Sequence, residues 1–151
     1  MSGKLKSAYR YRIVPIKGTE IEFGKVTCSK DTEKYLRKIY DPKDLLIYES
    51  VYLLLLNRMN QITGYVLLTN GGTNACIMDV KLVLRYAISN LTQAMIITHN
   101  HPSGNTKPGT SDKEIAKRIG KALEFIDVKL LDNIILTKDS YFSFADNGLL
   151  D

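Results

Sequence analysis

Cysteine is scarce in this sequence, and no long apolar run occurs in it. The two cysteines, Cys28 and Cys76, show no CxxC spacing, so no disulfide framework is expected and a zinc deaminase is excluded. No apolar run approaches the roughly 20 residues that span a bilayer. The basic first residues lack the apolar core of a signal peptide, which predicts a cytoplasmic protein without a membrane partner. A P-loop is also missing, since no Gly-Lys-Ser/Thr follows the Gly-Gly pair at 71–72.

The amino-acid composition is typical of a soluble globular protein, and the length suffices for one domain with a hydrophobic core. Hydrophobic residues make up 44% of the sequence and charged residues 25%. The net charge of +5 is uneven: residues 1–40 carry 10 basic and 4 acidic side chains, a net +6, whereas residues 41–151 carry a net −1. Two interpretations of the basic segment stay open, a solvated face and a surface that attracts nucleic acid.

The only two histidines, His99 and His101, follow an apolar run that is typical of a buried strand. Side chains at positions i and i+2 of a strand point to the same face, so the two imidazoles are expected side by side. Pro-Ser-Gly then turns the chain. Ser111 and Glu114 have the spacing of a capping box, which predicts a helix that brings Asp112 back towards the histidines.

Two imidazoles and one carboxylate form a ligand set that suits Zn²⁺, with a fourth position open for water. For His99 and His101 the alternative is two surface histidines in a turn, and for Asp112 it is an ordinary first-turn acid of a helix. Glu49 is the best candidate for a general base, because it precedes a strongly buried strand where a carboxylate would be partly desolvated. Taken alone, Glu49 would be a solvated charge at a strand end.

The order of predicted elements indicates an α/β domain with one mixed sheet and helices packed on it. A basic N-terminal extension, residues 1–44, is expected to hold a hairpin and a helix and to precede a domain at 45–151. Hydrophobic periodicity predicts strands at 9–16, 20–28, 50–56, 61–69, 94–99, 128–137 and 141–144, and helices at 29–40, 79–91 and 112–126.

Glu49, then a hairpin and a helix, then His-x-His and Asp112 together resemble the JAMM (MPN+) metalloprotease motif. The form His-Asn-His-Pro-Ser-Gly at 99–104 and the segments at 131–137 and 141–146 resemble the RadC-like JAB branch. The resemblance covers about residues 45–148. It implies the JAB/MPN fold, a cytidine-deaminase-like sheet flanked by helices.

The same resemblance implies a zinc-dependent hydrolase of the peptidase or isopeptidase type, acting on a protein or peptide. His99, His101 and Asp112 match the zinc ligands and Glu49 matches the general acid/base. The alternative is a catalytically weak or inactive interaction module associated with DNA repair, which binds nucleic acid or a protein partner. Charge reversal at Lys4, Lys6, Arg10 and Arg12 would then weaken salt-sensitive DNA binding.

Two positions depart from the family pattern. Gly109 stands where the motif has a serine that helps to hold the tetrahedral intermediate, three residues before Asp112. Asn133 stands where the RadC-like branch often carries histidine. Because the three candidate ligands are present and the motif serine is not, metal binding is expected in this protein with more support than catalysis.

Overall fold

In the computed structural model of the protein, residues 10, 14–71 and 77–150 are described. A five-stranded mixed sheet and three α-helices form the domain within these ranges. The strands are β1 (Ser50–Leu56), β2 (Ile62–Asn70), β3 (Ala94–Asn100), β4 (Lys129–Leu136) and β5 (Tyr141–Ser143). The helices are α1 (Ser29–Ile39), α2 (Val80–Ser89) and α3 (Thr110–Glu124), with a short 3₁₀ turn at Asp44–Leu46. No helix in these ranges has the length and apolar character needed to cross a membrane.

The sheet has the strand order β2-β1-β3-β4-β5, which places β3 at its centre. β1 runs antiparallel to β2 and β3, β3 runs parallel to β4, and β5 is antiparallel to β4. Parallel pairing of β3 and β4 requires a crossover, which α3 supplies. Every residue of β3 is buried, as expected for a central strand covered on both faces. The predicted mixed α/β sheet is confirmed.

Alternation along the strands divides the core into two layers. Side chains at even positions of β1 and β3, such as Leu54 and Ile96, pack in one cluster with Leu36 of α1. Side chains at odd positions, such as Leu53 and Ile97, pack in a second cluster with residues of α2 and α3. Odd-numbered His99 therefore belongs to the face that α2 and α3 cover. Helix α1 thus shares a core with the sheet. The division of the chain at residue 44 stays a prediction.

The predicted N-terminal hairpin is not formed by the described residues. Tyr9 and residues 11–13 lie outside the described ranges, and residues 14–24 hold no strand. The predicted strand at 20–28 is reduced to one isolated bridge between Lys25 and Gln61, at the start of β2. The alternating apolar side chains of Val14 and Ile16 stay exposed, so no burial favours a hairpin there. A turn is present at 17–18, with Gly18 at a φ of 81°.

The expectation that Ser111 caps α3 is wrong. The helix begins at Thr110, two residues before the predicted start at 112, and its N-cap is Gly109. The backbone N–H of Gly109 donates to the Asp112 carboxylate over 2.7 Å, so the side chain three residues into the helix stabilises its start. Helix α2 is shorter than the predicted 79–91. It begins one residue later because Asp79 is its N-cap and accepts a hydrogen bond from the Lys81 N–H, and it ends at Ser89.

Candidate metal centre

The candidate centre lies where β3 ends and α3 begins. His99 belongs to the strand and is 3% exposed. His101 follows it, and its backbone N–H still donates to the Leu136 carbonyl of β4, which prolongs the pairing by one residue. This extended backbone carries both imidazoles to the face covered by α3, where Asp112 meets them from the first turn of the helix.

The donor atoms of the three side chains converge on one point. The Nε2 atoms of His99 and His101 are 3.1 Å apart. Nε2 of His99 lies 3.4 Å from Oδ1 of Asp112, and Nε2 of His101 lies 3.7 Å from Oδ2. Ligands about 2.1 Å from a tetrahedral zinc are about 3.4 Å apart, so these spacings suit a four-coordinate ion. Among the described residues, His99, His101 and Asp112 form the one such His/Cys/Asp/Glu group, with ligand atoms within 4.8 Å of one another.

Hydrogen bonding prepares His101 to act as a ligand. Its Nδ1 donates to the backbone carbonyl of Asn105 over 2.7 Å. Because a carbonyl can only accept, Nδ1 carries the hydrogen and the lone pair of the neutral ring lies on Nε2, facing His99 and Asp112. Nδ1 of His99, by contrast, is buried and has no hydrogen-bond partner among the described residues. The tautomer of His101 is thus set by the loop that follows the histidines.

Asp112 is held in the charged form that a metal ligand requires. Burial raises the pKa of its carboxyl group. The hydrogen bond from His99, the N–H of Gly109 and the positive charge that the two imidazoles carry when protonated lower the pKa by more, so it lies below its ordinary range. The carboxylate is therefore ionised at neutral pH and available to a cation.

Glu49 is two residues before Val51, at which β1 begins to pair with β3. Val51 of β1 pairs with His99 of β3 in antiparallel register, so continuing the pairing by two residues places Glu49 opposite His101. Glu49 and Val51 are two residues apart, which assigns them to the same face as His99. Glu49 is half-buried, and its carbonyl accepts a hydrogen bond from the Gly71 N–H over 2.7 Å. Its role as a base stays a prediction.

The two positions that depart from the family pattern have different surroundings. Gly109 has a φ of −75° and a ψ of 171°, which any residue can adopt. A Cβ atom at Gly109 would lie 3.4 Å from Oδ2 of Asp112 and 3.8 Å from Oγ of Ser111, so a serine hydroxyl would stand at the edge of the centre. Asn133 is buried in β4, and neither polar atom of its side chain has a hydrogen-bond partner among the described residues.

Asn100, the residue between the two histidines, is a further residue of interest that the sequence pattern did not single out. It is fully buried, and its side chain makes two hydrogen bonds to the segment before β1 and one to Ser50, the first residue of β1. Strand alternation was the available signal, because a residue between two ligands must face the opposite side of the sheet.

The fold and the centre define a class: an α/β domain with a His-His-Asp group, able to hold a metal ion, between its central strand and the crossover helix. Comparison with known families supports a narrower assignment. The model of the RadC-like JAB domain matches residues 26–149. The protein belongs to the RadC-like JAB domain family.

Curated relatives agree with this family. A UPF0758 protein of Flavobacterium johnsoniae is 37% identical over 129 residues, which cover 85% of this chain and 55% of the relative. A UPF0758 protein of Porphyromonas gingivalis is 40% identical over 103 residues, covering 68% of this chain and 45% of the relative. The chain thus spans about half the length of the curated relatives that it matches.

Proposed function

We propose that this protein is a zinc-dependent hydrolase of the JAMM type, which cleaves peptide or isopeptide bonds. The observation that carries the proposal is the spacing of the three donor atoms, 3.1 to 3.7 Å, at the end of a buried strand. Family membership supports the same chemistry. Zinc is preferred to other divalent ions because imidazole with a single carboxylate suits it, although Mn²⁺ and Fe²⁺ accept similar ligands.

Each residue has a distinct part in the proposed reaction. His99, His101 and Asp112 would hold the ion and leave one position open. When bound, zinc supplies Lewis acidity, which lowers the pKa of a water molecule and polarises a carbonyl group. Glu49 would accept a proton from the attacking water on its carboxylate and return it to the leaving amine.

The first experiment measures the metal content of the purified protein beside that of the His99→Ala/His101→Ala variant. Elemental analysis should find about one zinc per chain in the wild type and none in the variant, because one remaining carboxylate cannot retain the ion. A wild type without metal, even after zinc is added at neutral pH, would overturn the proposed centre.

The second experiment separates metal binding from catalysis. Glu49→Gln should keep its zinc but lose turnover of a mixture of fluorogenic peptides and lysine-linked isopeptides. A loss of about 10²–10⁴-fold is typical for removal of a general base. Full activity in Glu49→Gln would rule out the role assigned to this carboxylate, whatever its metal content.

A further inference from the structure

Asn100 joins the candidate metal centre to the segment that carries Glu49. Its Oδ1 accepts a hydrogen bond from the Ser50 N–H over 2.8 Å. Its Nδ2 donates to the carbonyls of Leu45, over 2.9 Å, and Tyr48, over 2.7 Å. One amide side chain thus holds the residues on both sides of Glu49.

The end of this segment has other hydrogen bonds: the Tyr40 hydroxyl donates to the Ser50 carbonyl and the Ser50 hydroxyl to Oδ1 of Asn70, each over 3.0 Å. The residues before Glu49 have less apolar burial to hold them. Leu45 is buried, but Leu46, Ile47 and Tyr48 are 47%, 50% and 40% exposed. Burial of apolar surface therefore contributes little to the position of the three residues before Glu49. The hydrogen bonds of a fully buried amide are correspondingly important there, because the carbonyls and the N–H would otherwise lose a protein partner.

Asn100 lies on the same strand as the two histidines, so its hydrogen bonds connect residues 45–50 to the strand that carries His99 and His101. His99 and His101 point to the α3 face, and Asn100 points to the opposite face, where the turn at Asp44–Leu46 lies against the sheet. The backbone of β3 sets the spacing between the ligands and the amide. Any displacement of residues 45–50 relative to the histidines would have to break the hydrogen bonds of Asn100.

We propose that Asn100 is a positioning residue, which holds the peptide on both sides of Glu49 in register with His99 and His101. This inference rests on the proposed function, in which Glu49 is the base. Asn100 touches neither the candidate ligands' donor atoms nor the reacting groups, and it acts through Glu49. A displacement of about 1 Å at a reacting group can lower turnover by about 10²-fold.

The direct test is amide hydrogen exchange in Asn100→Ala, with zinc content measured on the same sample. The Ser50 N–H should exchange at least tenfold faster than in the wild type, because its acceptor is gone, while zinc stays near one per chain. Asn133→Ala is the matched control: Asn133 is an equally buried asparagine on the adjacent strand, and no hydrogen bond joins its side chain to residues 45–50. Unchanged Ser50 exchange in Asn100→Ala would overturn the proposal.

A milder variant covers the case in which Asn100→Ala fails to fold. Asn100→Ser leaves a polar group and room for water, but its side chain is too short to reach all three partners. The same faster exchange of Ser50 is expected in it. Loss of the fold in both variants would also overturn the proposal, because Asn100 would then serve the whole domain and not one segment.

A double-mutant cycle tests whether Asn100 acts through Glu49. With the fluorogenic peptide and isopeptide mixture, Asn100→Ala should lower kcat by about 10²-fold. The double variant with Glu49→Gln should be no slower than Glu49→Gln alone. Losses that multiply would show that Asn100 affects turnover by another route. If Glu49→Gln proves fully active, the proposed function fails, while the exchange result still reports on the contact itself.

Discussion

At the scale of single residues, Gly109 is the departure from the family motif that bears on the rate of the proposed reaction. A serine there would meet no backbone obstacle, because Gly109 has an extended conformation and its nearest neighbours are side-chain atoms of Asp112 and Ser111. The family motif uses that serine to hold the tetrahedral intermediate, and loss of one such donor costs about 10²–10³-fold in rate.

Gly109→Ser should therefore raise turnover by as much as about 10²-fold and leave zinc content unchanged. Steady-state kinetics with the peptide and isopeptide mixture would measure the gain. Gly109→Ala is the control, since it adds the same Cβ atom without a hydroxyl. Equal rates in the two variants would contradict a role for the hydroxyl and would favour the interpretation that Ser111 or the backbone already serves.

Asp132 is a second residue with a marked electrostatic environment. Burial raises its pKa above the ordinary carboxyl range, although hydrogen bonds from Ser143, Ala145 and Asn133 oppose the effect. Asp132 accepts from the Ser143 hydroxyl over 2.6 Å and from the Ala145 N–H over 3.0 Å. The folded protein thus binds this proton more tightly than the unfolded chain does.

The sign of the resulting pH dependence follows from linkage. As the pH rises from about 3.9, the unfolded pKa of an aspartate, through the raised folded pKa of Asp132, this residue lowers the free energy of unfolding. Asp132→Asn should lack that fall, so its stability relative to the wild type should increase with pH across this window. Urea denaturation of both proteins between about pH 4 and pH 8 would measure it. Parallel curves would contradict the assignment.

At the scale of elements, hydrogen bonds of Arg37 join α1 to the turn between β4 and β5. Its guanidinium donates to the carbonyls of Thr137, Lys138 and Ser140 over 2.7, 2.8 and 3.3 Å. It also pairs with Glu33 one helical turn earlier. The planar guanidinium group has several N–H donors in fixed directions, so it can donate to three carbonyls that a single ammonium group could not reach together.

Arg37→Ala should lower the free energy of unfolding by about 2 kcal/mol, a typical value for hydrogen bonds to a charged group. Arg37→Lys, which keeps the charge but loses the fork, should recover only part of it. Denaturant titrations would measure both. A lysine variant as stable as the wild type would show that charge alone holds the helix. Zinc content should be unchanged in either variant, since Arg37 lies in the layer opposite the centre.

At the scale of the whole molecule, the uneven charge motivates a second candidate role, an interaction module that binds nucleic acid. Its basic residues Lys4, Lys6 and Arg12 lie outside the described residues, and Arg10 is exposed. Affinity for duplex DNA should fall as salt rises, and charge reversal at all four positions should reduce the slope of that dependence. Fluorescence anisotropy at several salt concentrations would measure it. Binding indifferent to salt and to these changes would exclude the role.

Much of the fold could be predicted from the hydrophobic pattern of the sequence. The predicted strands and helices that differ from the structure do so for physical reasons. The strand at 50–56 has the predicted bounds because an unbroken apolar run must be buried on both faces. In the described part of the predicted N-terminal hairpin, residues 14–24 form no strand, because alternation predicts a strand only where one face is buried, and Val14 and Ile16 are exposed. Helix α3 began earlier than predicted because Asp112, and not Ser111, stabilises its start.

By itself, the sequence determined which residues can bind a metal. Two histidines in alternation after a buried strand, with an acid at the next helix start, leave few other arrangements. Only the tertiary structure decided how the centre is supported: the His101 tautomer set by Asn105, the low pKa of Asp112 and the hydrogen bonds of Asn100 to residues 45–50. The hydrogen bonds of Asn100 join residues 50 to 55 positions apart in the chain, and local sequence patterns carry no information about such contacts. The contact of His101 with Asn105 is local, but it depends on the folded shape of the loop, which residue types alone do not specify.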